Sequence, residues 1–167
     1  RLGSNEEFCK LISKLAPKSE KIVDICAGTG ALSVGMDRDN FFQCEELSQM
    51  SIPVLLLNLA LRNKNAVVLQ KNVLLNEVQK VYKLSKSDEF SNIEVADTYE
   101  ENATDVVISN PPYSLKWEPK SDPRFEDYDL APAKASDYAF VLDGLSRLSD
   151  VGKAFYILPA GVLFRGN

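Results

Sequence analysis

The sequence of 167 residues contains no histidine. Histidine is the usual general base near neutral pH and the commonest metal ligand, so Ser-His and Cys-His nucleophilic mechanisms and His-metal centres are excluded within this chain. Any chemistry carried out by these residues therefore proceeds without an imidazole.

Cysteine is also scarce. The three cysteines, Cys9, Cys26 and Cys44, are odd in number, widely separated and include no CxxC pair. This pattern favours reduced thiols in a cytoplasmic protein over a disulfide or zinc framework. We interpret all three as thiols that fill the core.

Long apolar runs are missing as well, and the most apolar one, Val54–Leu61, is far too short to span a bilayer. The sequence shows no leading basic and apolar signal, so it predicts a soluble protein, of one domain by its length. The formal charge of −5 would repel a polyanion unless basic groups are clustered or supplied by another subunit.

The most informative stretch is Val106–Tyr113, an apolar run that stops at Asn-Pro-Pro-Tyr. Two prolines cannot continue a central strand, so the strand must end at Asn110. The Asn110 side chain and the carbonyls of Ser109, Asn110 and Pro111 offer acceptors, whereas Pro111 and Pro112 offer no donors. Tyr113 adds a face on which a base can stack. The stretch therefore suits an amino group on a planar base, unless it is only a proline-terminated strand with a loop tyrosine.

A parallel α/β sheet is indicated earlier in the chain. Lys21–Ile25 is a short buried strand that runs into a turn containing Gly28 and Gly30, and a helix follows at once. The two glycines allow a ligand to approach the backbone, although Ser33 stands where a dinucleotide fingerprint has its third glycine. Asp24 either contacts a ligand or orders this turn.

Two further polar positions follow strands. The second strand, Phe41–Cys44, ends at Glu45 and Glu46, one of which is suited to hold ribose hydroxyls while the other is solvated surface. We choose Glu45, the first after the apolar run. Asn72, just beyond the strand Ala66–Gln70, either reads an adenine ring or serves as a turn residue.

The remaining pattern predicts four helices and two strands. The helices are a lead-in helix over Glu6–Leu15 capped by Ser4 or Asn5, a Leu-rich one to Leu61 in which Pro53 fits the first turn if Ser51 is the N-cap, one using Leu75, Val78 and Tyr82, and one over Ser136–Leu148; the strands are Thr104–Ile108 and Ala154–Leu158. A long irregular loop after Pro112 is predicted to be functional or a lid. Its Lys116 and Arg124 either meet phosphate or remain solvated.

Taken together, the motifs resemble those of class I amino-methyltransferases that use S-adenosylmethionine (AdoMet), with Asp24, the Gly28-Thr29-Gly30 turn, Glu45 and the Asn110–Tyr113 tetrapeptide in the family's order. The later stretches resemble the methylation subunit of type I restriction-modification systems: Asp122-Pro123-Arg124-Phe125, Asp137-Tyr138-Ala139-Phe140 and Leu158–Gly166. The similarity covers nearly the whole chain.

The resemblance implies a Rossmann-like, mostly parallel sheet with helices on both faces, which we expect to stop after its fifth strand. Residues 1–167 would be part of a catalytic domain, with a lead-in helix over 1–20 and the sheet core over 21–167. The implied reaction is methyl transfer from AdoMet to the N6 amine of a flipped adenine in DNA. The implied partners are DNA, a specificity subunit, further methylation subunits and, in systems that have one, a restriction subunit.

The implied site residues fall in two groups. Cofactor binding would use Asp24, Ala27, Gly28, Thr29, Gly30, Glu45, Asn72 and Asn110, and catalysis would use Asn110, Pro111, Pro112 and Tyr113. No metal is implied. The chain departs from the family at Ile25 and Cys26-Ala27, and at Asn72, where an aspartate commonly meets the cofactor adenine. The family's N-terminal helical domain, last strands and C-terminal helices are missing here, so we expect this stretch alone to be inactive.

Two alternatives stay open at this stage. An RNA or a protein glutamine side chain presents a similar planar amine, and the same tetrapeptide serves methyltransferases on both. The chain would alternatively be a non-catalytic AdoMet-binding scaffold that holds other subunits.

Overall fold

The computed structural model describes residues 3–17, 19–36 and 39–164. Within them lie the helices α1 (Gly3–Leu15), α2 (Ala31–Gly35), α3 (Ile52–Leu61) and α4 (Asp137–Leu145) and the strands β1 (Lys21–Ile25), β2 (Phe41–Glu46), β3 (Ala66–Asn72), β4 (Glu77–Ser85), β5 (Asn92–Ala96), β6 (Thr104–Ser109) and β7 (Leu148–Tyr156). Two short 3-10 helices cover Pro123–Phe125 and Ala160–Phe164. The first helix begins before the expected N-cap residues.

The strands form one sheet in the order β5-β4-β3-β2-β1-β6-β7. The five strands from β3 to β7 in that order run parallel, and β4 and β5 add an antiparallel pair at the β3 edge. Chain order turns back at β1, because β2 lies on one side of it and β6 on the other. Ligands bind open α/β sheets outside the carboxyl ends of the strands at such a reversal. The predicted mostly parallel α/β architecture is confirmed, but the expected count of five strands is wrong, because β4 and β5 bring the sheet of the described residues to seven strands.

Helices cover both faces of the sheet, as expected. On one face Cys9 and Ile12 of α1, Leu32 of α2 and Leu55 of α3 pack with buried residues of β1, β2 and β6. On the opposite face Phe140 of α4 packs with Val23 and Ile25 of β1, Val107 of β6 and Val73. No helix in the described part of the chain has the length and apolar character needed to cross a membrane.

The helix predicted from Leu75, Val78 and Tyr82 is wrong. This stretch enters β4, which pairs with β3 in antiparallel register, Leu69 opposite Val81 and Ala66 opposite Leu84. A three-and-four spacing of apolar residues was compatible with a helix, but the exposed edge of β3 supplies a pairing partner that local periodicity cannot reveal.

The end of α4 also differs from the prediction. The helix ends at Leu145 rather than Leu148, and β7 already begins at Leu148. Arg147, next to that boundary, points inward and is only 9% exposed. The pairing of β7 with β6 is irregular between Thr104 and Val106. The early part of β7 therefore lacks the regular apolar pattern from which the sequence predicted a strand only from Ala154 onward.

Candidate active site

A cleft of about 830 Å³ opens at the carboxyl ends of the central strands. It is lined by residues at or just after the ends of β1, β2, β3 and β6, by the loop that follows Tyr113, and by α4. The lining includes Cys26, Gly28, Glu45, Glu46, Leu47, Lys71, Asn72, Val73, Leu74, Leu75, Asn110, Pro111, Pro112, Tyr113, Leu115, Lys116, Trp117, Glu118 and Phe140. The reversal point of the sheet thus carries a pocket of the size that small-molecule cofactors occupy.

The glycine turn shapes one end of this cleft. Cys26, Gly28 and Gly30 all have positive φ, at 59°, 58° and 87°. A Cβ at Gly28 would meet no atom within 4 Å, whereas one at Gly30 would lie 2.7 Å from Leu55 Cδ1. Gly28 therefore leaves open space for a ligand, and Gly30 allows α3 to pack against the turn. Two hydrogen bonds hold the turn in place. The Ala27 amide donates to the Glu45 carbonyl at 2.9 Å, and the Asn58 side chain donates to the Thr29 carbonyl at 2.8 Å.

Glu46, rather than Glu45, reaches the glycine turn. Glu46 Oε2 accepts a hydrogen bond from the Gly28 amide at 2.8 Å, and Oε1 accepts one from the Ser48 amide at 2.7 Å. Its side chain is half-buried at the cleft, and Glu45 is fully buried. The expectation that one of the two acids is solvated surface is therefore wrong. The alternation of side chains along β2 sends these neighbours in opposite directions.

Glu45 belongs to a buried charge cluster beside the cleft. Its Oε1 accepts hydrogen bonds from Gln43 at 2.7 Å, from Lys71 at 3.5 Å and from Arg147. Burial alone would raise the pKa of Glu45, but the charges of Arg147 and Lys71 outweigh it and lower the pKa. Asp143 Oδ1 accepts from Arg147 at 2.9 Å and continues the cluster toward α4. A paired carboxylate of this kind holds the fold, and its ionised state is fixed by its neighbours.

Asp24 lies behind the turn and is fully buried. Its Oδ2 accepts from the Ser33 hydroxyl at 2.5 Å. Burial raises the pKa of Asp24 to about 7, although hydrogen bonds from the Ser33 hydroxyl and amide oppose the rise. Of the two roles that the sequence left open for Asp24, the geometry supports ordering of the turn, because the residue is not among those that line the cleft.

Asn72 and the residues after it form the opposite wall. Asn72 Oδ1 accepts from the Leu75 amide at 3.2 Å, which is the turn role that the sequence allowed. Asn72 also lines the cleft, together with the apolar Val73, Leu74 and Leu75. An apolar wall with a single amide that can fix orientation is typical of small-molecule sites.

The tetrapeptide after β6 lies in the same cleft. Asn110 is exposed, Pro111 is buried, and Tyr113 is 48% exposed. The Tyr113 hydroxyl donates to Asn110 Oδ1 at 3.1 Å. The Ser109 carbonyl does not belong to the acceptor set that the sequence suggested, because the Ile157 amide takes it at 2.9 Å. The other residues of that acceptor set, Asn110 and Pro111, both line the cleft.

The loop after Tyr113 is fixed to α4 and folds back on itself. Asp137 Oδ1 accepts from the Ser114 amide at 3.0 Å, and the Leu115 carbonyl accepts from the Ser136 amide at 3.2 Å. Trp117, which sequence reasoning did not place in the site, lines the cleft. Its only sequence signal was an aromatic residue in a long loop close to the tetrapeptide.

Both roles considered for Arg124 are wrong. Its side chain is 12% exposed, so it is neither solvated nor presented to phosphate. It donates to the backbone carbonyls of Val73 at 2.7 Å and Leu74 at 3.3 Å. Lys116, by contrast, is exposed at the cleft.

The C-terminal motif approaches α4. The Tyr138 hydroxyl donates to the Val162 carbonyl at 2.7 Å, which joins α4 to the last 3-10 helix. Arg165 and Gly166, which close that motif in the sequence, lie outside the described residues.

The sheet order, the glycine turn with an acid at the end of β2, and the Asn-Pro-Pro-Tyr edge of β6 together match a Rossmann-like methyltransferase fold. A sequence model described as N-6 DNA Methylase matches residues 5–167. The chain belongs to this N-6 DNA methylase family.

Individual relatives agree. Over 72 residues the chain is 43% identical to the type I restriction enzyme MpnII methylase subunit of Mycoplasma pneumoniae, a stretch that is 39% of this chain and 13% of that subunit. The fold is similar to the crystal structure of the "putative RNA methyltransferase PH1948 from Pyrococcus horikoshii", with a TM-score of 0.56 and 18% identity over 95% of this chain and 60% of that one. The second likeness concerns the fold alone. The resemblance inferred from the sequence is confirmed by the family and by the first relative.

Proposed function

We propose that this chain transfers a methyl group from AdoMet to the exocyclic N6 amine of a flipped adenine in DNA, within a type I restriction-modification assembly. The observation that carries the proposal is that Glu46 at the glycine turn and the Asn110–Tyr113 edge line one cleft. A donor held at the first and an amine held at the second would face each other across that cleft.

The residues of the cleft fit the donor. Gly28 leaves open space beside the turn, and the Glu46 carboxylate has lone pairs beyond its two backbone bonds with which to accept from ribose hydroxyls. Asn72 and the apolar wall of Val73 and Leu74 suit an adenine ring. We therefore assign the ribose contact to Glu46 in place of Glu45, and a supporting role in the turn to Ala27, Thr29, Gly30 and Asp24.

The amine clamp consists of Asn110 and Pro111. Adenine N6 is a poor nucleophile because its lone pair is delocalised into the ring. Asn110 Oδ1 and the Pro111 carbonyl accept the two amine hydrogens, which localises the lone pair on nitrogen. When bound, AdoMet would supply a methyl group on a sulfonium, so that the N–C bond would form as the S–C bond breaks and the methylated amine would release a proton to water. Positioning and fixed dipoles supply most of the rate, in keeping with a chain that has no histidine.

Tyr113 and Pro112 form the base side of the clamp. Tyr113 is 48% exposed and lines the cleft, so its ring is available to a base that leaves the duplex. Stacking on an aromatic side chain is worth about 1–3 kcal/mol, which offsets part of the cost of extrusion. A net charge of −5 disfavours DNA binding by this chain alone, which supports a proposal in which other subunits of the assembly grip the DNA.

The test is methyl transfer by the complex assembled with its partner subunits. Asn110→Ala should abolish transfer of tritiated methyl groups to DNA and leave the AdoMet dissociation constant, measured by calorimetry, nearly unchanged. Asn92→Ala, an exposed amide on the edge strand β5, is the control and should behave as wild type. Retained transfer by the Asn110 variant would exclude the clamp.

The same experiment separates the alternatives. Transfer to RNA or to a protein glutamine in place of DNA would favour another planar amine as substrate. AdoMet binding with no transfer to any of them would favour a scaffold. Absence of AdoMet binding would overturn the whole proposal.

A further inference from the structure

Arg124 is an enclosed side chain in the loop that leads from the tetrapeptide to α4. Its two terminal nitrogens donate to the carbonyls of Val73 at 2.7 Å and Leu74 at 3.3 Å. Both residues line the cleft directly after Asn72. A loop on one side of the cleft thus holds the backbone of the wall on the other side.

Two carboxylates hold the guanidinium in this position. Asp122 accepts from Nε at 2.9 Å through Oδ1 and from Nη2 at 2.7 Å through Oδ2, which is a bidentate pair. Asp143 Oδ1, on α4, accepts from Nη1 at 2.6 Å. The planar fork of arginine makes these bonds and both carbonyl bonds together, which a single ammonium group cannot do.

An aromatic pair extends the arrangement to the other side of the loop. The guanidinium carbon lies 5.0 Å from the centre of the Phe125 ring. Trp117 meets Phe125 edge to face, with ring centres 6.2 Å apart and planes at 80°. The Trp117 Nε1 donates to the Pro132 carbonyl at 3.1 Å, so the indole that lines the cleft is held at two points.

We propose that Arg124 is a positioning residue that holds two walls of the cleft in place. It holds the first wall by donating hydrogen bonds to the carbonyls of Val73 and Leu74, and it holds Trp117, in the second wall, through Phe125. This rests on the proposed function, because the first wall is assigned to the cofactor adenine. Arg124 touches neither the donor nor the base; it fixes the distance between their two sites by connecting the substrate-side loop to the cofactor-side backbone.

The experiment compares Arg124→Gln with Lys134→Gln in the assembled complex. Lys134 is an exposed cation of the same loop, so the two variants change the charge equally. For Arg124→Gln we expect the AdoMet dissociation constant and KM to rise on the order of tenfold, the equivalent of one lost charge-assisted hydrogen bond. The kcat at saturating AdoMet should fall as well, because the donor and base sites are no longer held at a fixed distance, and Lys134→Gln should change none of these constants. Arg124→Lys should restore only part of the affinity.

If Arg124→Gln fails to fold, Asp122→Asn takes its place, since it keeps an acceptor for Nε and weakens the bidentate pair; a smaller rise in the AdoMet KM is expected. Unchanged AdoMet affinity per folded molecule, with only a lower melting temperature, would overturn the inference. So would weaker DNA binding with a shallower salt dependence, which is the signature of a phosphate contact. A wild-type complex that does not bind AdoMet would overturn the proposed function itself, so the two failures are distinguishable.

Discussion

The Glu46 carboxylate accepts a hydrogen bond from the Gly28 amide at 2.8 Å, and this bond joins the end of β2 to the turn after β1 at the rim of the cleft. Its neighbour Glu45, one position earlier, faces the opposite side of the sheet and pairs with Lys71 and Arg147. Two adjacent glutamates therefore have separable roles, and substitution of each should give a different result.

Glu46→Gln should weaken AdoMet binding while the protein stays folded, because an amide offers the ribose hydroxyls one acceptor oxygen in place of two charged ones. Calorimetry with AdoMet checks this. Glu45→Gln is the matched comparison: it removes the fully buried carboxylate that Lys71 and Arg147 share, leaves them only Glu101 and Asp143 as partners, and should lower the free energy of unfolding by about 3 kcal/mol. Equal loss of affinity in both variants at full folding would contradict the assignment to Glu46.

Asp24→Asn should make the native state more stable at neutral and alkaline pH. Burial raises the pKa of Asp24 to about 7, while the unfolded chain releases this proton near the ordinary aspartate pKa of 3.8. Ionisation of Asp24 therefore lowers stability as the pH rises between these values, and the cost is complete above pH 7. A neutral Asn keeps an acceptor for Ser33 and avoids this cost.

The measurement is urea unfolding as a function of pH. The gain of Asp24→Asn over wild type should reach the order of 4 kcal/mol at about pH 8 and vanish near pH 4. Asp150→Asn removes an exposed carboxylate and serves as the control. A gain that does not depend on pH would show that Asp24 is not the titrating group.

Gly30→Ala should destabilise the fold more than Gly28→Ala. At Gly30 the φ of 87° strains any side chain, and the added Cβ would lie 2.7 Å from Leu55 Cδ1, in a fully buried residue that has little room to move. Backbone strain and overpacking each cost about 1–3 kcal/mol. Gly28 has a φ of 58° and open space around it, so Gly28→Ala should lower the free energy of unfolding by about 1–2 kcal/mol. Denaturant unfolding of the two variants provides the comparison.

Tyr113→Phe and Tyr113→Ala should separate the ring of Tyr113 from its hydroxyl. The hydroxyl donates to Asn110 Oδ1 at 3.1 Å, the same acceptor that the amine clamp uses. Phe keeps the stacking face and should retain methyl transfer, whereas Ala should raise the KM for DNA roughly tenfold to a hundredfold through lost stacking. Steady-state kinetics of the assembled complex decide the matter, and a Phe variant as defective as Ala would show that the hydroxyl itself is required.

The sequence by itself determined the class of the fold and the composition of the site. A buried strand, two glycines and a helix in succession predict a parallel crossover, and two prolines after an apolar run must end a strand; both are local constraints on φ and hydrogen bonding that need no knowledge of neighbours. For this reason Gly28, Asn72 and the residues from Asn110 to Tyr113 could all be named, and all of them line the cleft.

Only the tertiary structure decided which side chains face the cleft and which face the core. The choice between Glu45 and Glu46 depended on the register of β2, where one position reverses the direction of a side chain. The helix expected near Val78 became β4 because the edge of β3 was open to pairing. From the sequence Arg124 was interpreted as a cation of a loop. In the structure it donates to the carbonyls of Val73 and Leu74, which lie 51 and 50 positions earlier in the chain. Contacts over such separations are set by how the whole chain packs, and no local pattern records them.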